Sequence, residues 1–236
     1  MGLVVAVVTA TLVLAPSAPT SAPATQNWGY VGCSNTHDAM YGYQNTPGAA
    51  AHFWPWSTND SEYHIEGGTV HNWLRVPTYF QQFEQQVALH DGGADPPIIL
   101  IQFCVQDDPA KLNYWPLDQA EVAQLIAAVH AHHPSSVLYV TPLQDYKPTA
   151  LCDEMGLKGI EIPTMKGWLA QQVAIHAALA GPGIVGNAAL GPLAENGTVW
   201  TDDCHPTGDP HHPTKFPGSG VQLLGQQLSS FFDHLG

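Results

Sequence analysis

The sequence predicts an α/β fold, a three-layer α/β/α sandwich whose five-stranded parallel sheet is doubly wound. Short strand-like segments alternate with amphipathic helical patterns along the chain, and this alternation is typical of a parallel sheet with helices on both faces. Residues 96–104 (PPIILIQFC) form an apolar run, as expected of a strand that is covered on both faces. The length of 236 residues fits one such domain.

Five segments are the predicted strands, in the order Trp28–Cys33, Glu62–Glu66, Ile98–Cys104, Val137–Leu143 and Gly183–Ala188. Because right-handed crossovers place the carboxyl ends of parallel strands on one edge, the residues that follow these strands should meet there. Open sheets of this doubly wound, flavodoxin-like kind bind their ligands at that edge. We therefore expect the chemistry of the protein at the carboxyl edge of the sheet.

Apolar residues with helical spacing lie between and after these strands. The first such helix has Val122, Leu125, Ile126 and Val129 on one face, and His133-Pro134 is expected to end it. The second helix has Trp168, Ile175 and Leu179 on one face, interrupted by Gln172. The third follows the turn at residues 218–220 and has Val221, Leu224, Leu228, Phe231 and Leu235 on one face.

The charge balance excludes a protein that binds nucleic acid. Six Lys and Arg residues stand against twenty Asp and Glu residues, which gives a formal net charge of -14. So few cations cannot form a patch that neutralises phosphates, and such a surface repels anionic membranes.

Residues 1–24 are expected to be a signal peptide and residues 25–236 the mature domain. The apolar stretch Leu3–Leu14 is too short to span a bilayer but suits the core of a signal peptide, and Ala22-Pro23-Ala24 offers a cleavage site. The usual basic residues before the apolar stretch are missing, so either the start is truncated or the signal is atypical, and an uncleaved anchor is the alternative to export. The even count of four cysteines agrees with an oxidising compartment. We expect a secreted, extracellular protein without stable membrane insertion.

A serine, a histidine and an aspartate stand at predicted strand ends. Ser34 follows the first strand, and a serine hydroxyl becomes a strong nucleophile when a base takes its proton. His205 follows the fifth strand, and Asp202 lies three residues before it, where a tight turn can bring the carboxylate to one imidazole nitrogen. Asp203 competes for that orienting role with a less suitable spacing. The alternatives are that Ser34 only caps the following helix and that His205 is a surface or core histidine.

Donors for a negatively charged oxygen are also available at this edge. Gly67 or Gly68 follows the second strand, and a glycine lets a backbone amide approach a substrate oxygen closely. Gln106 follows the third strand and offers a side-chain amide. The backbone amide of Ser34 would be the third donor.

The order Ser34, Gly67, Gln106, Asp202 and His205 resembles the SGNH hydrolases, also called GDSL-type esterases and lipases. In that family the first block carries the nucleophilic Ser, the second an oxyanion Gly, the third G-x-N-D with an oxyanion Asn, and the last D-x-x-H. The matching blocks span residues 28–205. The resemblance implies a serine ester hydrolase that forms an acyl-enzyme and uses neither cofactor nor metal. Its substrate would be a small-molecule or polysaccharide ester with a short acyl or acetyl group.

The chain departs from the family pattern at three positions. Cys33 stands where the family usually has Asp, Cys104 where it has Gly, and Gln106 where it has Asn. Gln106 keeps the carboxamide but is one methylene longer. The α/β-hydrolase fold is less suitable, because Thr36 stands where its G-x-S-x-G elbow has the second Gly.

Two alternatives to hydrolysis stay open. The change at Gln106 and the aromatic segment 52–60 (HFWPWSTND) would suit an impaired, glycan-binding SGNH fold, whereas an intact site would also suit an acyltransferase to sugar acceptors. Phe53, Trp54 and Trp56 are more simply a satellite core cluster in a loop. His211 and His212 lie in a proline-rich segment without a clear ligand geometry for a metal.

The cysteines suggest a clamp on the histidine. Cys204 lies inside the D-x-x-H turn and Cys152 follows the fourth strand, so a Cys152–Cys204 bridge would hold the His205 loop and stabilise the fold by about 2–4 kcal/mol. Cys33 and Cys104 end adjacent strands and would bond or pack together. Cys33 as the nucleophile is a further alternative, although it should face away from Ser34.

Overall fold

The computed structural model of the protein describes residues 27–55, 70–103, 119–142, 184–186, 206–208 and 219–235. The elements in these ranges are, in chain order, β1 (Gly29–Val31), α1 (Ser34–Gln44), α2 (Val70–Arg75), α3 (Pro77–Asp91), β2 (Ile98–Phe103), α4 (Gln119–His132), β3 (Val137–Pro142), β4 (Ile184–Gly186) and α5 (Gly220–Phe232). None of the helices in these ranges is long and apolar enough to cross a membrane.

The described strands form one parallel sheet with the spatial order β1-β2-β3-β4. Gly29 pairs with Ile99, Ile99 with Leu138, and Leu138 with Ile184, so one row of residues crosses the whole described sheet. Since every pair is parallel, the carboxyl ends of all four strands lie on the same edge. The predicted α/β class is confirmed, whereas the predicted strand at 62–66 and the predicted helix at 168–179 lie outside the described residues.

Residues 52–54 lie beside the start of β1. Trp28 forms a parallel bridge with Phe53, and the N–H of Trp54 donates to the Trp28 carbonyl oxygen at 2.9 Å. Phe53 and Trp54 are fully buried in the main hydrophobic core. The Phe53 ring meets Trp28 and Phe232 edge to face, with ring centroids 5.6 and 4.9 Å away. The prediction of a satellite cluster in a loop is therefore wrong for these two rings, and Trp56 lies outside the described residues.

The two helices predicted from periodicity within the described residues are present. α4 ends at His132, directly before His133-Pro134, and its four predicted apolar residues are all buried. In α5, Val221, Leu224 and Leu228 are buried as predicted. Phe231 is partly buried against the core, and Phe232 is fully buried, because eleven residues after Val221 are closer to three full helical turns than ten. Leu235 lies after the helix end and is 42% exposed.

Candidate functional site

Ser34 is the first residue of α1 and directly follows β1 and the pair Gly32-Cys33. This position is at the carboxyl edge of the parallel sheet, where the sequence predicts it. Gly67, Gln106, Asp202 and His205 lie outside the described residues. The structure therefore places one of the five predicted site residues and leaves the convergence of the other four as a prediction.

Cys33 occupies the N-cap position of α1, with φ -127° and ψ -167°. Its carbonyl oxygen accepts the N–H groups of Thr36 at 2.9 Å and His37 at 3.1 Å. Ser34 thus lies inside the first turn, so the alternative in which Ser34 is the capping residue is wrong. A helix N-terminus carries a partial positive charge, and the position of Ser34 is favourable for an oxygen that becomes negative during a reaction.

The turn from β1 into α1 is fixed by a buried chain of hydrogen bonds. The N–H of Cys33 donates to Thr36 Oγ1 at 3.0 Å, and the Thr36 hydroxyl donates to Gln102 Oε1 of β2 at 2.6 Å. Gly32 makes this possible, because a Cβ at that position would lie 1.8 Å from Thr36 Oγ1. Trp73 of α2 donates from Nε1 to the Gly32 carbonyl oxygen at 3.3 Å. The residues on both sides of Ser34 are therefore held by α2 and β2.

The first turn of α1 buries four successive polar side chains. Asn35, Thr36, His37 and Asp38 are all at most 4% exposed. Both side-chain polar atoms of Asn35 are buried and have no hydrogen-bond partner among the described residues, which is uncommon in a native core. Sequence reasoning missed this cluster, although the polar run SNTHD directly after a strand was its signal.

The chain that follows the predicted base is tied to the start of α5. Thr207 lies two residues after His205, and its Oγ1 accepts the N–H of Gly220 at 2.7 Å. Its carbonyl oxygen accepts the N–H of Val221 at 3.0 Å. The segment that follows His205 in the chain is thereby anchored at the N-terminal end of α5.

α1 and α5 are packed side by side and run in the same direction. Gly42 lies against Val221 and Gly225, and the Tyr43 hydroxyl reaches Asp233, after the end of α5, at 2.7 Å. The eight residues of α1 before Gly42 correspond to about 12 Å of helix. They extend past the start of α5, towards the end where Thr207 is bound. The start of α1 and the segment after His205 therefore lie at the same end of this helix pair.

Cys33 is disulfide-bonded, and its partner sulfur lies outside the described residues, as do Cys104, Cys152 and Cys204. The bonded sulfur of Cys33 excludes the alternative in which this cysteine is the nucleophile, because only a thiolate attacks. The predicted Cys152–Cys204 bridge stays a prediction.

In the described part of the chain, no group of three or more His, Cys, Asp or Glu residues is arranged to hold a metal ion. The histidine pair at 211 and 212 lies outside that part.

Comparison with known proteins adds no relative. No protein-family model matches the chain, and searches of characterised proteins and of solved structures give no significant match. The fold and the residues at the carboxyl edge of the sheet define an α/β protein with a parallel sheet and a serine at the first position of the helix after β1. Its function has to be argued from that geometry and from the motifs.

Proposed function

We propose that the protein is a secreted serine ester hydrolase of the SGNH, or GDSL, type that cleaves carboxylic esters with a short acyl or acetyl group. The observation that carries this proposal is the position of Ser34. It begins the helix that packs against α5, and α5 in turn binds Thr207, two residues after His205. A nucleophile at the start of one helix, and a predicted base two residues before the Thr207 that is bound to the start of its neighbour, suit a triad.

The proposed reaction is acyl transfer to water. His205 takes the proton of the Ser34 hydroxyl as its oxygen attacks the ester carbonyl, and Asp202 orients the imidazole and stabilises its charged form. The backbone amides of Ser34 and Gly67 and the side chain of Gln106 bind the oxyanion. His205 then gives the proton to the leaving alcohol. Water, activated by the same base, releases the acid and regenerates Ser34.

The finer architecture belongs to the same proposal. We infer a five-stranded, doubly wound, flavodoxin-like sheet with helices on both faces, in which the predicted strand at 62–66 is the remaining strand. In the flavodoxin-like order the second strand of the chain lies outside the first. In the described order β1 is the first strand of the row, and residues 52–54 pair with Trp28 beside its start. The predicted strand at 62–66 would therefore lie beside the remainder of β1.

The proposed substrates are small-molecule or polysaccharide esters. The proposal also includes export of the protein, with residues 1–24 as its signal peptide. The glycan-binding alternative finds no support at Phe53 and Trp54, because both rings are buried in the core. Acyl transfer to sugars would use the same triad, and added acceptor alcohols would reveal it as a transesterified product.

The test compares the wild-type protein with Ser34→Ala on nitrophenyl esters of increasing acyl length and on acetylated glycans. We expect turnover by the wild type and a loss of about 10³-fold or more in Ser34→Ala. A fluorophosphonate probe should label the wild type covalently and should not label the variant. Equal turnover of the best substrate by both proteins would show that Ser34 is not the nucleophile.

A further inference from the structure

Gln102 of β2 is a buried polar residue that the proposed reaction does not use. It lies one residue before the end of β2, is 2% exposed, and pairs in register with the buried Thr141 of β3. Its Oε1 accepts the Thr36 hydroxyl at 2.6 Å across 66 residues of sequence. A buried polar side chain in an otherwise apolar strand is costly unless it is hydrogen-bonded.

The bond to Gln102 fixes how the Thr36 hydroxyl is oriented. A hydroxyl has one proton and two lone pairs. With the proton directed at Gln102, a lone pair of the Thr36 oxygen is left to accept the N–H of Cys33, and this second bond is present at 3.0 Å. The bond from Cys33 to Thr36 spans Ser34, and the bond to Gln102 holds Thr36 against β2. Hydrogen bonds in a water-excluded environment of this kind are strengthened by the low dielectric.

We infer that Gln102 and Thr36 are positioning residues for Ser34, an inference that rests on the proposed function. Neither residue would touch the substrate. Gln102 orients Thr36, Thr36 holds the backbone of the turn, and the turn fixes the backbone from which Ser34 acts. A reacting group that is displaced by a fraction of its hydrogen-bond reach loses rate even when the substrate still binds.

Three variants separate positioning from general stability. Thr36→Val keeps the shape of the side chain and removes both hydrogen bonds, Gln102→Met removes the acceptor, and Thr36→Ser keeps the hydroxyl. The matched control is Ser136→Ala, which deletes a buried hydrogen bond of the same length, 2.6 Å, to the carbonyl oxygen of Pro96. That bond lies at the amino end of β3, at the opposite edge of the sheet from Ser34.

The readouts are the second-order rate of fluorophosphonate labelling, kcat and KM on the best ester, and the free energy of unfolding in urea. We expect Thr36→Val and Gln102→Met each to lower kcat and the labelling rate by about 10- to 100-fold with little change in KM. The double variant should show a smaller loss than the product of the two single losses, because Thr36→Val already deletes the bond that Gln102→Met removes. Thr36→Ser should recover most of the rate, and Ser136→Ala should lose stability without losing labelling.

Thr36→Val or Gln102→Met that is labelled as fast as the wild type would overturn the inference, and so would a control that loses as much rate as they do. A wild-type protein that the probe does not label would instead overturn the proposed function. The two failures are therefore distinguishable in one experiment.

Discussion

A Cβ atom on Gly42 of α1 would lie 1.7 Å from the carbonyl oxygen of Val221 in α5, so the two helices meet backbone to backbone. Gly225 makes the reciprocal contact, since a Cβ there would lie 2.0 Å from the Gly42 carbonyl carbon. Only glycine permits this approach. The contact sets the spacing between the helix that begins with Ser34 and the helix that holds Thr207.

Gly42→Ala is expected to destabilise the fold by about 1–3 kcal/mol, even though alanine is the better helix former by about 1 kcal/mol. The added methyl group has to push α1 away from α5, because the atom it meets belongs to the backbone and cannot rotate aside. Urea unfolding measures the loss. Ser230→Ala, on the exposed side of α5, is the control and should stay within about 0.5 kcal/mol of the wild type. A Gly42→Ala protein as stable as the wild type would contradict the close packing of the two helices.

Tyr43→Phe is expected to cost about 1–2 kcal/mol. The Tyr43 hydroxyl donates to Asp233 Oδ1 at 2.7 Å and accepts the N–H of His52 at 3.2 Å, and it ties the end of α1 to the residue after α5. Urea unfolding at neutral pH measures the loss. Fluorophosphonate labelling of Ser34 should not change, because Tyr43 lies at the opposite end of α1. A parallel loss of labelling would contradict that separation.

The raised pKa of Tyr43 predicts that the stability of the fold depends on pH in the alkaline range. Burial, with the hydrogen bond to Asp233, holds the pKa of Tyr43 well above its usual value. The folded phenol therefore keeps its proton where the unfolded phenol, with a pKa of about 10, loses it. The stability that Tyr43 supplies is complete below about pH 10 and declines as the pH rises further. Urea unfolding above pH 10 should show a steeper decline for the wild type than for Tyr43→Phe, and equal slopes would contradict this account.

The sequence predicted the parts of the fold in which a period or a continuous run carries the signal. β2 and β3 are apolar runs, and α4 and α5 have apolar residues at helical spacing. α2 and α3 were not predicted, because helix α3 (PTYFQQFEQQVALHD) is rich in polar residues and buries only Phe83, Gln86 and Val87. The position of residues 52–54 beside β1 could not be predicted, since it depends on the pairing of Phe53 with Trp28.

The sequence likewise predicted only part of the candidate site. The position of Ser34 after β1 followed from a local motif, and the structure places it there. The contact between Thr36 and Gln102 could not be predicted, because it depends on how α1 docks on a strand 66 residues away. The burial of Asn35 depends in the same way on tertiary packing. Local patterns thus predict which residues stand at the edge, and packing decides which of them meet.

Asn35→Leu is expected to leave the fold as stable as the wild type or to stabilise it. Asn35 is 0% exposed, and neither polar atom of its side chain has a partner in the part of the chain that the structure describes. An unsatisfied buried polar group destabilises a fold by about 1–3 kcal/mol, and an apolar side chain of similar volume removes that penalty. Thermal unfolding measures the change, with Thr36→Val as the contrast, since that variant deletes two hydrogen bonds that are made. A loss of stability in Asn35→Leu equal to that in Thr36→Val would contradict the absence of a partner for Asn35.

His90 predicts a loss of stability in mild acid. Its ring stacks on Trp54 with the centroids 5.6 Å apart, and burial lowers the pKa of the imidazole below its usual value. As the pH falls, the unfolded chain, in which the pKa is about 6.5, binds the proton before the folded chain does. The stability that the neutral ring provides is present above that pH and is lost as the pH falls through the lower pKa of the folded state.

His90→Phe keeps a ring on Trp54 and cannot bind a proton, so its free energy of unfolding in urea should fall less steeply between about pH 7 and pH 5 than that of the wild type. All other residues are the same in both proteins, so the comparison isolates the effect of His90. An NMR titration of the His90 ring measures the cause directly, and a midpoint at or above the ordinary value for histidine would contradict it.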